Sequence, residues 1–197
     1  MKITAGYLGG RTVRAPPGEV RPTQDRVRQS VFSSLGGSCE GWRVLDLFAG
    51  SGSLGLEAWS RGASSVLFVE QDSRVLAHLR ATIRELCPGK GSALVCRRAD
   101  VLRWTWNPLD AGSFDLVFAD PPYADARQMV EETLIGLARR RWVRSGGLAV
   151  MEMSSRDAAP DAKGWILIRD REFGETRITQ YRADEGVGSM TNPEGRS

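Results

Sequence analysis

Asp120-Pro121-Pro122-Tyr123 sets a carboxylate, two stiff backbone carbonyls and an aromatic ring directly after the apolar run FDLVFA at 114–119. This set suits an exocyclic amine on a nucleic-acid base. Such a nitrogen is a poor nucleophile, because its lone pair is delocalised into the ring. Hydrogen bonds from the amino group to the Asp120 carboxylate and the Pro121 carbonyl would draw it towards tetrahedral geometry. Consecutive prolines hold that carbonyl in place. Tyr123 can stack on the base and align it with an electrophile. The rate gain expected here comes from positioning and electrostatics, not from a covalent intermediate.

A second set lies about seventy residues earlier. After Arg43–Phe48 (RVLDLF), Gly50, Gly52 and Gly55 spell G-x-G-x-x-G, and Glu70 follows twenty residues after Gly50. Glycines at this spacing permit a tight turn and close approach of backbone to a ligand. A carboxylate such as Glu70, at the end of the next strand, can accept hydrogen bonds from both hydroxyls of a ribose. The pattern fits a nicotinamide dinucleotide or S-adenosylmethionine. Asp46 tilts the choice: a carboxylate at the end of the first strand would repel a pyrophosphate and suits the cationic methionine end of S-adenosylmethionine. Asp100, near the end of the third strand, is placed to take an adenine amino group.

The elements that must hold these sets follow a strand, turn, helix rhythm from residue 43 onward. Strands are predicted at Arg43–Phe48, Ser65–Val69, Ala93–Cys96, Phe114–Ala119, Leu148–Met153, Trp165–Arg169 and Arg177–Tyr181. Helices are predicted from the glycine turn through Trp59, from a cap at Ser73 to about Leu86, and from about Arg127 to Trp142. Alternation of this kind implies a mostly parallel, doubly wound α/β sheet covered on both faces. The last two strands have no helix-length segment between them, so they pair as an antiparallel C-terminal hairpin. Ahead of this domain, residues 1–36 read as a small basic extension: a hairpin about Gly9-Gly10, a loop, then a helix capped by Thr23 and ending at Gly36-Gly37. Residues 37–184 form the Rossmann-like domain, and 185–197 a disordered tail.

The 197-residue chain is 41% hydrophobic and 26% charged, with a net charge of only +3. The placement of its basic residues is more telling than their sum. Lys2, Arg11, Arg14, Arg21, Arg26 and Arg28 face only Glu19 and Asp25 in the first thirty residues, and Arg139, Arg140, Arg141 and Arg144 form a second group. Basic patches on a nearly neutral body are the footprint of nucleic-acid contact, although a solvated helix face accounts for the second group almost as well. Three dispersed cysteines make neither a disulfide framework nor a zinc pattern, which suits a reduced cytoplasmic setting. No membrane span, signal peptide or metal site is expected. Trp104 and Trp106 read as packing residues rather than a base-stacking pair, and Trp142 as core.

Together these residues resemble class I methyltransferases that act on exocyclic amines. "GRTVRAPPGEVRPTQDRVRQSVFSSL", "VLDLFAGSGSLGLEAWSRGASSVLFVE" and the closing "FGETRITQYR" are similar to the RsmD-type family, which methylates guanine N2 in 16S ribosomal RNA of the bacterial small subunit. The resemblance spans most of residues 3–182 and is weakest between Arg103 and Ser113. It implies that Asp46, Phe48, Gly50, Gly52, Glu70, Gln71, Asp100 and Val101 bind S-adenosylmethionine. It implies that Asp120, Pro121 and Tyr123 engage the target guanine, and that Arg11, Arg21, Thr23, Arg26 and Arg28 hold the RNA. The partner implied is ribosomal RNA, free or within an assembled small subunit, with the protein acting as a monomer. Three rivals stand beside this reading. A DNA adenine-N6 methyltransferase uses the same four-residue motif but usually carries a recognition domain for which this chain has no room. An NAD-dependent dehydrogenase would want an acid or base that the lone His78, mid-helix, does not supply. A non-catalytic RNA-binding module would not need the intact glycine turn and Asp120.

Overall fold

The computed structural model describes residues 1–13, 22–104, 114–122 and 125–184, with backbone only at 22–24. Seven strands form one sheet: β1 (Arg43–Leu47), β2 (Ser65–Glu70), β3 (Leu94–Arg98), β4 (Phe114–Ala119), β5 (Val143–Ser154), β6 (Trp165–Phe173) and β7 (Thr176–Ala183). Their spatial order is β3-β2-β1-β4-β5-β7-β6. The first five strands run parallel, while β7 lies antiparallel between β5 and β6. The doubly wound sheet with an antiparallel C-terminal hairpin is therefore as expected, and β7 is the reversed strand. Four helices accompany it among the described residues: α1 (Pro22–Ser34), α2 (Ser53–Ser60), α3 (Ser73–Leu86) and α4 (Ala126–Arg140).

Two apolar layers sandwich the sheet. On one face α1, α2 and α3 bury Phe32, Leu56 and Leu79 against Val44, Phe68 and Phe118. On the other, α4 buries Val130, Leu134 and Leu137 against Leu45, Val117 and Met151. Trp104 packs into this second layer, its ring 5.7 Å from that of Trp142, which agrees with a packing role for both. Trp106 lies outside the described residues. The segment before α1 joins the first layer: Ile3, Leu8 and Val13 are at most 3% exposed and share the core with Val44 and Phe68.

Several boundaries differ from the sequence reading, each for a local reason. The first helix starts at Pro22, so Thr23 lies inside its first turn rather than capping it; proline tolerates that first turn because its missing N–H would have no intrahelical partner. The cap of α3 is Asp72, not Ser73, with its carboxylate accepting from the Arg74 and Val75 amides at 2.7 and 3.1 Å. The terminal hairpin strands are longer than their apolar runs, because β6 is an edge strand whose exposed residues carry no alternation to read. The N-terminal hairpin forms as one antiparallel bridge, Lys2 to Thr12, closed by Gly10 N–H donating to the Ile3 carbonyl at 2.9 Å.

Candidate active site

The chain winds outward from β1 to β2 and β3, then crosses back to β4 on the other side of β1. Ligands of open α/β sheets bind beyond the strand ends at such a reversal. In register, Leu47 at the end of β1 sits beside both Val69 and Ala119, and Glu70 sits beside Arg98. Phe48, Glu70, Asp100 and Asp120 thus emerge along one rim of the sheet. The sequence placed these residues in four separate segments; strand register brings them together.

The turn after β1 is built from unusual backbone. Phe48 takes φ 55°, and Gly50 and Gly52 take 52° and 77°. A left-handed bulky residue costs on the order of 1–3 kcal/mol and persists where a site demands it. The turn is braced at three points. Ala49 N–H donates to the Val69 carbonyl at 3.0 Å, Gly52 N–H to the Ala49 carbonyl at 2.7 Å, and Gly50 N–H to Glu70 Oε2 at 3.0 Å. The second oxygen of Glu70 accepts from the Asp72 amide at 2.8 Å. Glu70 therefore ties the ends of β1 and β2 into one rim while presenting a carboxylate there.

The three glycines do different things. A Cβ on Gly50 would meet only the Phe48 carbonyl, at 3.9 Å, so this backbone borders open space. A Cβ on Gly52 would fall 2.5 Å from Leu79 Cδ1, and one on Gly55 only 2.3 Å from Phe68 Cε1 and 2.8 Å from Asp46 Oδ2. Gly52 lets the turn pass against Leu79 of α3, Gly55 lets α2 lie close on the sheet, and Gly50 leaves room beside the rim. Gly55→Ala is accordingly expected to destabilise the fold by roughly 1–3 kcal/mol through overpacking, lowering the melting temperature by about 2–4 °C per kcal/mol. Thermal unfolding checks this, and an unchanged melting temperature would contradict the packing reading.

Asp46 sits one residue before the end of β1, under the first turn of α2. It is 3% exposed, and its Oδ2 accepts from Gly55 N–H at 2.9 Å. Burial pushes its carboxyl up to about 8; the Gly55 hydrogen bond pulls the other way, and the charges of Asp120 and Glu70 add to the rise. Asp46 does lie near the end of β1, as the sequence suggested, but as a guarded carboxyl behind the turn. Asp100 is exposed, accepts from the Leu102 amide at 3.0 Å and has Arg103 at 3.6 Å. Val101 is half-buried against the second core layer, and the exposed Gln71 gives its carbonyl to Arg98 Nε at 3.1 Å. Asp120 is exposed at the rim, whereas Pro121 is buried, which fixes the backbone that carries the carboxylate. Tyr123 lies outside the described residues.

The expected RNA contacts divide. Arg11 and Arg26 are exposed. Arg21 and the side chain of Thr23 lie outside what is described. Arg28 is only 3% exposed and is consumed by protein partners: Glu57 Oε2 at 3.3 Å, Asp25 Oδ1 at 2.8 Å and the Lys2 carbonyl at 2.5 Å. Its basic type suggested phosphate, but it neutralises a buried acid that the sequence reading passed over. A glutamate between Leu56 and Ala58, in an otherwise apolar helix, was the available signal for Glu57.

The match to known proteins runs over nearly the whole chain. Residues 1–182 match the family model described as Conserved hypothetical protein 95. Ribosomal RNA small subunit methyltransferase D of Haemophilus influenzae is 32% identical over 183 residues, covering 92% of each chain. The solved structure of yhhF from Escherichia coli, provisionally described as a methyltransferase, superposes with a TM-score of 0.80 at 28% identity over 93% of this chain and 98% of that one. SMU.776, a methyltransferase-like protein solved with SAH, shares the fold at 14% identity and a TM-score of 0.63, over 83% of this chain and 50% of that one. The chain belongs to the RsmD family, that of the ribosomal RNA small subunit methyltransferases D.

Proposed function

We propose that this protein methylates the exocyclic N2 of a guanine in small-subunit ribosomal RNA, with S-adenosylmethionine as donor. The observation that carries the reading is the pairing of Leu47 with Ala119, which sets Asp120-Pro121 immediately beside the braced glycine turn. The donor set fits the cofactor. Gly50 opens onto space, Glu70 offers a rim carboxylate to ribose hydroxyls, and Asp46 supplies a latent negative charge near a cationic ligand. When bound, S-adenosylmethionine supplies an electrophilic methyl group. Phe48, Gly52, Gln71, Asp100 and Val101 complete the cofactor site in this reading. Asp120 and the Pro121 carbonyl accept hydrogen bonds from the guanine amino group, and Tyr123 stacks on the base. Because a paired base hides that amino group, the RNA must present an extruded or unpaired guanine.

The basic arm of residues 1–36 meets the RNA through exposed Arg11 and Arg26, and Arg21 and Thr23 are assigned the same role from the sequence, while Arg28 supports the arm from within. A monomer acting on an assembled subunit in the cytoplasm accommodates all of this. Arg26→Ala is expected to weaken RNA binding and to flatten the log–log salt dependence by about 0.7–0.9 for the lost phosphate contact. Filter binding across a salt series reads this, and an unaltered slope would remove Arg26 from the interface.

The decisive test is transfer of radiolabelled methyl to small subunits lacking their native methylations, followed by nucleoside analysis. N2-methylguanosine is the expected product. Label in DNA adenine instead would keep the chemistry and change the substrate, and no label in either would favour a non-catalytic binder.

A further inference from the structure

The carboxylate of Glu57, in the middle of α2, is wholly buried and gathers donors from three parts of the chain. Thr4 N–H and Ala5 N–H donate to it at 2.8 and 3.2 Å, and the Thr4 hydroxyl at 2.5 Å. Arg28 of α1 donates at 3.3 Å and Arg61, just past α2, at 2.8 Å. The two guanidiniums carry the network outward, Arg28 to Lys2 and Asp25, Arg61 to Gly37 and Thr4. With Asp25 included, two cations meet two anions, so the cluster is neutral.

A second fastening lies one turn along. Ser60 takes the amides of Tyr7 and Leu8 at 2.9 and 3.0 Å and donates its hydroxyl to the Ala5 carbonyl at 2.6 Å. Gly6 passes so close that a Cβ there would sit 1.8 Å from the Ser60 carbonyl oxygen. Residues 4–8 are thus threaded onto α2 with a single register. Apolar contact alone would hold the arm without fixing that register, because hydrophobic attraction is non-directional. The other end of α2 is the glycine turn, capped by Gly52 and held to Asp46 through Gly55. Glu57 is only five positions after Gly52, about 7.5 Å along a helix. One short rigid element joins the turn at the rim to the root of the basic arm.

We infer that Glu57 is a positioning residue for RNA methylation: it sets the N-terminal arm, and with it the exposed face of α1 around Arg26, at a fixed register to the crevice. This rests on the proposed reading that the arm contacts RNA. Glu57 is wholly buried among Thr4, Ala5, Arg28 and Arg61, so its loss acts on RNA engagement and spares cofactor affinity. Removing charge while keeping shape, as in Glu57→Gln, leaves Arg28 and Arg61 sharing one neutral acceptor, and the arm loses its register.

Steady-state methylation of under-methylated small subunits by Glu57→Gln, at fixed ionic strength, reads the effect. The KM for subunits should rise tenfold or more, with the S-adenosylhomocysteine Kd held within about twofold. The double variant Arg26→Ala/Glu57→Gln should lose no more than the worse single variant, since both act through one arm. An unchanged KM, a cofactor Kd that weakens in step, or additive losses would each overturn the inference. Failure of the wild-type protein to label RNA would instead overturn the proposed function. If Glu57→Gln does not fold, amide exchange in the wild type decides. Thr4 and Ala5 should exchange as slowly as the β1 core, and exchange at the rate of a frayed terminus would overturn the inference.

Discussion

Asp120→Ala is expected to lower single-turnover methyl transfer by roughly 10²–10³-fold or more, while S-adenosylmethionine binds as well as before. Asp120 follows Ala119, whose neighbour in register is Leu47, so it stands on the β4 side of the turn, across β1 from Glu70. In the proposed function its work is to hold the nucleophilic nitrogen, a task that arises only once RNA is bound. The groups proposed to hold the cofactor, Glu70 and the Gly50 backbone, are braced to each other and to the Asp72 amide. The charge of Asp120 does reach Asp46, where it adds to the raised carboxyl pKa. Removing it makes Asp46 easier to ionise, so affinity for a cationic ligand near neutral pH should stay level or rise slightly. Asp120→Asn keeps an acceptor and should lose less than the alanine variant. Rapid-quench methylation beside equilibrium titration separates the two steps. A loss of cofactor affinity as large as the loss of rate would refute this division of labour.

What the sequence revealed, and what it hid, follows from the range of the forces involved. The glycine turn, Glu70 and the Asp120-Pro121 pair were legible because each is a local signal at a strand end, and the alternating elements fix which ends face one way. That one of the last two strands is reversed was legible because their connection is too short for a parallel crossover; that it is β7 follows from its place beside β5. Arg28 was misread because residue type reports charge, not the partner that neutralises it: Glu57 lies 29 residues away, and only the packing of α1 on α2 brings them together. The burial of Asp46 was equally hidden. Its position in β1 was plain, but the first turn of α2 closing over it is a consequence of Gly55, whose missing Cβ is what allows the approach. Segments at 14–21, 105–113 and 185–197, which include the expected tail, lie outside the described residues.

If Asp46 faces the cofactor as proposed, its burial gives cofactor binding a pH dependence of definite sign. In the unliganded protein its carboxyl is pushed up to about 8, chiefly by burial, so near neutral pH it is mostly protonated. A cationic ligand favours the ionised form. Affinity should therefore rise with pH through the range 6–8, by at most about tenfold per unit for one coupled proton, and flatten above it. Binding at pH 7 should release a proton, visible by calorimetry in buffers of different ionisation enthalpy. The same shift sets the stability of the empty protein. A folded pKa raised above the unfolded value means the protonated carboxyl favours the fold: the contribution is complete below about pH 4 and is lost as pH rises through about 8. Asp46→Asn keeps an acceptor for Gly55 N–H but cannot ionise. It should match or exceed the wild type in unliganded stability at pH 8–9, yet bind S-adenosylmethionine roughly 10–100-fold more weakly there, the scale of a lost charge-assisted contact. The ligand's own amino group titrates in this range too, so the informative quantity is the difference between the wild-type and Asp46→Asn profiles. Parallel profiles would show that Asp46 carries no charge to the cofactor and serves only to pin α2.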